Sequence, residues 1–423
     1  MSNVFANVWK VQDLRKKVLY VLLILFVYRI GANIPLPGVN IQSWIILRTG
    51  FTGQTLIATI TGGGFGTLFA MGIGPYITAS IIMQLLTVAV PSLEQLKKEG
   101  ETGNKKIEKI TRYLGLVMAF FQSVGMIFAF NNAGLFLYPN MLTYSIAVIS
   151  MVAGTMFVMW LGELITEKGI GNGISFMIFA NILSGVPGGV MGLYHEARFG
   201  NIVTVIFVVA LVILFIALIV FAVLVNAGER RIPVQNSKKM IGSGGAYQNS
   251  GGNTSYIPLK VNIAGVMSII FALSLLQFPT LMQTVFQNNN TLNTVVDHLQ
   301  ITMPVGAILY VILIIAFTFF YTSFAINPTE MAENMKKNGG FIPGIRPGKP
   351  TSDYISKTVH RLSWIGAIFY VALAMIPVIF QWISGIEVGF GGTTLLIVTG
   401  VALEIVKNLE SQLITRHYKG FLQ

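Results

Sequence analysis

Along the chain, apolar residues come in long blocks separated by short polar connections. Stretches long enough to span a bilayer, roughly 20 residues each, centre on 18–36, 67–90, 113–130, 142–161, 172–191, 201–225, 261–285, 303–326, 362–383 and 393–409. Glycine and polar residues interrupt the fifth and the tenth. No connection is large enough to form a separate soluble domain. The longest run from about 226 to 260 and from about 327 to 361. The pattern predicts an all-α, polytopic membrane protein of ten transmembrane helices.

Composition supports this reading. Of 423 residues, 54% are hydrophobic and 10% are charged, against roughly 25% charged in soluble domains. Lipid must therefore cover part of the surface. Cysteine is absent, which excludes disulfides, thiolate catalysis and thiolate metal sites. The first 17 residues are polar and no A-x-A-type cleavage site follows the first apolar run, so that run reads as a retained span.

The net charge of +12 could suggest nucleic acid, but its placement decides otherwise. With the N-terminus inside, the even-numbered connections and both termini are cytoplasmic. Of the 28 Lys and Arg, only Arg48 and Arg198 then fall outside and Arg29 within the first span, leaving 25 inside. Such a bias sets topology. It also accounts for the charge, although a ribosome stays open as a partner of the two long basic loops. Arg29 reads as a snorkelling or structurally paired residue rather than a transport group.

Ten spans divide into halves at 1–200 and 201–423, helices 1–5 and 6–10. Five helices per half make the second run opposite to the first, so the halves form an inverted pair, a geometry that transporters and channels share. Between the first two spans, about 51–66 is too short and Gly-rich to cross, yet apolar at Leu56, Ile57 and Ile60, and it holds Gly62, Gly63 and Gly64. A re-entrant segment and an ordinary outer loop both fit.

No catalytic constellation stands out. Gly391-Gly392-Thr393-Thr394 lacks the lysine of a phosphate loop, H-E-x-x-H is absent, and His195, His298, His360 and His417 are scattered. No cofactor is expected, and the chain does not read as an enzyme. A secondary transporter for a small solute remains the alternative from span count alone. It predicts ionisable groups at mid-membrane, and the spans are nearly bare of them.

Five motifs, in order along the chain, resemble the SecY family of protein-translocation channels. Gly72-Ile73-Gly74-Pro75-Tyr76-Ile77-Thr78-Ala79-Ser80-Ile81, continuing to Gln84-Leu85-Leu86, resembles its second span. Trp160-Leu161-Gly162-Glu163 through Gly169-Ile170-Gly171-Asn172-Gly173-Ile174-Ser175 resembles the approach to its helix 5. Ile257-Pro258-Leu259-Lys260-Val261-Asn262 resembles the approach to helix 7, Phe341-Ile342-Pro343-Gly344-Ile345-Arg346-Pro347-Gly348 its loop 8–9, and Gly391-Gly392-Thr393 its helix 10.

The resemblance implies an hourglass pore for unfolded polypeptides in the cytoplasmic membrane of a bacterium, with lateral release of membrane helices into lipid. On matching positions, the pore ring is Ile77, Ile81, Ile174, Ile178, Ile270 and Ile397, and the plug is the segment near 51–66. Such a ring would dewet a constriction without holding a passing chain by charge. Gln122, Gln277 and Phe278 fall at the lateral gate. Arg346, Arg230, Arg231, Lys238 and Lys239 fall on the docking loops. The implied partners are SecE-like and SecG-like subunits, a SecA ATPase, the ribosome, signal sequences and membrane lipid. Where many relatives carry arginines in the first long loop, this chain has glycine-rich 242–252; Asn104-Lys105-Lys106 replaces an Arg pair, and Met267-Ser268 stands where a proline often follows.

Overall fold

The computed structural model describes residues 9–44, 66–132, 134–236, 254–285, 290–385 and 392–420. Each of the ten predicted stretches coincides with a helix. The first half contains α1 (Gln12–Gly31), α2 (Gly74–Ala89), α4 (Glu101–Asn132), α5 (Met141–Lys168) and α6 (Gly173–Phe199). The second contains α7 (Ile202–Ala227), α8 (Met267–Val285), α10 (Pro304–Ala325), α12 (Lys349–Ser384) and α13 (Gly392–Gly420). Short helices lie between them: α3 (Pro91–Lys98), α9 (Asn290–Leu299) and α11 (Pro328–Lys337).

Among the described residues, six helices are long and apolar enough to cross a membrane alone, or seven if α2 and α3, bent by 98°, count as one. The bend has a local cause. Pro91 at the first position of α3 has no N–H to continue the ladder of α2. The other three predicted spans are helices whose apolar length is cut short. α1 carries Asp13, Arg15, Lys16, Lys17 and Arg29; the apolar part of α8 is Met267–Thr280; α13 carries Glu404, Lys407 and Glu410. Arg29 sits in the last turn of α1, where the helix dipole favours a cation.

Packing repeats between the two sets of five. α2 packs on α4 as α8 does on α10, and α4 on α5 as α10 does on α12. Likewise α5 packs on α6 as α12 does on α13, and α1 on α5 as α7 does on α12. The halves meet along two seams. On one, α8 lies against α4 and touches α2; on the other, α6 lies against α7 and α13.

The hydropathy pattern treats 226–260 as loop, and an all-α reading omits what is there. β1 (Glu229–Asn236) pairs antiparallel with β2 (Thr254–Lys260), in register from Glu229 opposite Lys260 to Gln235 opposite Thr254. β3 (Gly340–Phe341) adds to the other edge of β1, with Phe341 opposite Gln235. Buried Ile232, Leu259, Ile342, Ile355, Val359 and Leu362 fill the space between this sheet and the start of α12. The two long loops are therefore one body at their bases.

Candidate functional site

Two short pieces of backbone aim isoleucines into a buried apolar cluster. Ahead of α2, Gly72 adopts φ +50°, a turn that disfavours a side chain, and Pro75 opens the helix. Ile77 and Ile81 then fall one turn apart on its buried face.

The approach to α6 is more constrained. Gly171 has φ +71°. Asn172 caps the helix, its Oδ1 accepting from the N–H groups of Ile174 and Ser175 at 3.0 and 3.4 Å. Gly173 lies so close to α5 that a Cβ there would sit 1.8 Å from the carbonyl oxygen of Gly162. Its N–H donates to Thr166 Oγ1 at 2.9 Å. Together these fix where α6 starts, and hence where Ile174 and Ile178 point.

All six predicted ring positions, carried by α2, α6, α8 and α13, fall in one apolar cluster that α1 and α5 also help to build. Ile77, Ile81, Ile178, Ile270 and Ile397 are 7, 8, 3, 4 and 1% exposed, and Ile174 packs against them partly buried. Of the four helices that carry these positions, two come from each half. The cluster's buried members are all hydrophobic, and carboxylates and cations are absent from it.

Sequence reasoning missed the aromatic support of this centre. Phe271, beside Ile270, takes the edges of Phe317 and Tyr321 from α10, at 5.7 and 6.2 Å between ring centroids. Tyr28, fully buried on α1, donates its hydroxyl to Asn181 Oδ1 on α6 and stacks on Phe69 at 5.8 Å. A tyrosine within an apolar span was the available signal, because a buried hydroxyl needs a partner.

The other predicted positions are distributed as follows. Gln122 is half-buried on α4, and residues 277 and 278 lie on α8, the two helices in contact across the first seam; Phe278 is half-exposed. Pro279 interrupts the hydrogen-bond ladder of α8 beside them. Arg346 is exposed at the tip of a tight turn in which the N–H of Ile345 donates to Ile342 O at 3.0 Å, with Gly344 at φ +80°. Arg230 is exposed on β1, whereas Arg231 is held by Glu229 at 2.7 Å. Leu56, Ile57, Ile60, Gly62, Gly63, Gly64, Lys238 and Lys239 lie outside the described residues.

Two five-helix sets with matching packing, meeting at an uncharged apolar cluster, define a polytopic membrane protein of the channel class. The SecY family matches over residues 67–406. The chain is 44% identical to the protein translocase subunit SecY of Halalkalibacterium halodurans and 41% identical to that of Bacillus subtilis, each alignment covering all of both chains. Among solved structures, a protein-conducting channel aligns with TM-score 0.66 at 20% identity, covering 93% of this chain and 91% of the other. Sec61 in the canine ribosome-channel complex aligns with TM-score 0.64 at 19% identity and the same coverage. The chain belongs to the SecY family.

Proposed function

We propose that this chain is the channel subunit of a bacterial protein translocase, passing unfolded secretory polypeptides across the cytoplasmic membrane and releasing apolar helices sideways into lipid. One observation carries the reading: isoleucines from four helices, two per half, converge in a single cluster with no charge. A polypeptide of any sequence could part such a waist without being trapped by it, while branched apolar side chains keep ions and water out between clients.

The finer assignments follow from that one. The halves 1–200 and 201–423 would part at the seam of α2 and α4 against α8 and α10, past Gln122, Gln277 and Phe278. The segment 51–66 would plug the outer funnel. Both termini and the sheet platform would face the cytoplasm, where 25 Lys and Arg are counted. There Arg346 and Arg230 would meet a ribosome or a motor ATPase, as the canine relative is described in a ribosome complex. Small SecE-like and SecG-like subunits would brace the halves from lipid. The small-solute transporter alternative finds no support in the relatives or the fold.

The reading is tested in proteoliposomes holding the chain with its small subunits and a SecA motor. ATP-dependent protease protection of a secretory precursor is the expected result. Correctly inserted chain that gives no protection would refute it.

A further inference from the structure

We infer that Lys97 and Phe324 form a strap across the cytoplasmic mouth of the seam between the two halves, setting how readily that seam opens. The inference rests on the lateral-release reading above and goes beyond it.

Several charged side chains at this end are held by ion pairs. The ion pairs Lys98–Glu94, Lys105–Glu101, Lys106–Glu99, Arg112–Glu163 and Arg231–Glu229 each stay within one half. Lys97 does not follow them. Its Nζ lies 3.1 Å from the ring centroid of Phe324, which is in the last turn of α10. Lys97 itself is on α3, which packs against α2 and α4 of the first half. The contact therefore joins the halves on the side where α8 lies against α4 and α2.

The 98° bend between α2 and α3 makes this reach possible, because it carries α3 sideways off the axis of α2. Beyond Phe324, an aromatic series runs inward along α10. Phe324 lies 6.4 Å from Tyr321, Tyr321 lies 6.2 Å from Phe271, and Phe271 also takes the edge of Phe317. Positions 317, 321 and 324 share one helix face by their spacing. Phe271 adjoins Ile270 in the central cluster. Moving α10 away from α3 breaks the strap and shifts the rings that buttress the waist. A cation over an aromatic face is strong enough to bias an opening equilibrium and weak enough for a client to break.

The absence of cysteine allows a direct test. Spin labels are placed at Val88→Cys on α2 and Leu275→Cys on α8, both exposed positions, in nanodiscs. Lys97→Gln and Phe324→Leu should each broaden the distance distribution toward longer values, raising the open fraction about two- to thirty-fold. Lys97→Arg, which keeps a cation, should retain the wild-type distribution. The double variant should be no more open than either single. In proteoliposomes, the singles should also accept a precursor with a shortened apolar signal several-fold better than wild type. Unchanged distances in both singles overturn the strap whatever the transport result. A double variant whose effects simply add overturns it too, since independent sites would add. Failure of the wild type to translocate any precursor would instead count against the channel reading.

Discussion

Replacing Gly173 with alanine should displace the start of α6 and, through it, Ile174 and Ile178 in the central isoleucine cluster. The added Cβ would sit 1.8 Å from the carbonyl oxygen of Gly162. A carbon approaching a carbonyl oxygen is comfortable at about 3.3 Å or more, so the two backbones must separate by roughly 1.5 Å. Both partners are backbone, and no side-chain rotamer can absorb the clash. Overpacking of this kind costs about 1–3 kcal/mol, and loss of the Gly173 N–H to Thr166 hydroxyl bond adds about 1 kcal/mol. Gly188, on the same helix and exposed, meets nothing within 4 Å and is the control. Thermal unfolding in detergent should show Gly173→Ala lowered by several degrees and Gly188→Ala unchanged or slightly raised, since alanine is the better helix former. Equal melting temperatures for the two variants would refute the claim that this close approach fixes α6.

Three further outcomes follow from the structure. Tyr28→Phe removes the buried hydroxyl that donates to Asn181 and should cost about 1–3 kcal/mol of stability, read by the same melts. Gly344→Val forces a β-branched residue into φ +80° and should loosen the turn that presents Arg346, increasing protease cleavage near 344 without unfolding the spans. Arg346→Glu should lower SecA-driven export several-fold while melting temperature stays unchanged, because the side chain is exposed and forms no ion pair among the described residues; normal export would remove Arg346 from docking.

The ten helices were legible as apolar runs between polar segments, although in α1, α8 and α13 the apolar run is short. Their lengths were less so: α4 and α12 run to 32 and 36 residues, past the apolar stretch, because polar residues continue the helix into water. That six isoleucines matched by motif would lie close together was legible, since Ile77 and Ile81, one turn apart, share a buried face and all six fall in or against one apolar cluster. The sheet was hidden for physical reasons. β1 opens with Glu229, Arg230 and Arg231, both long strands contain proline, and β3 is contributed by the other long loop. Hydropathy cannot see pairing between segments that distant. The Lys97–Phe324 contact was hidden likewise, since a lysine in a polar loop reads as a solvated charge until the bend at Pro91 places it.

The central claim is that a translocating chain passes through the isoleucine waist. The direct measurement arrests a secretory polypeptide in transit, with photo-crosslinkers placed singly at Ile77, Ile178, Ile270 and Ile397 and, for comparison, at lipid-exposed Ile213. The account predicts crosslinks to the polypeptide from all four waist positions and none from Ile213. Crosslinks absent from the waist while loop positions still capture the chain would contradict it.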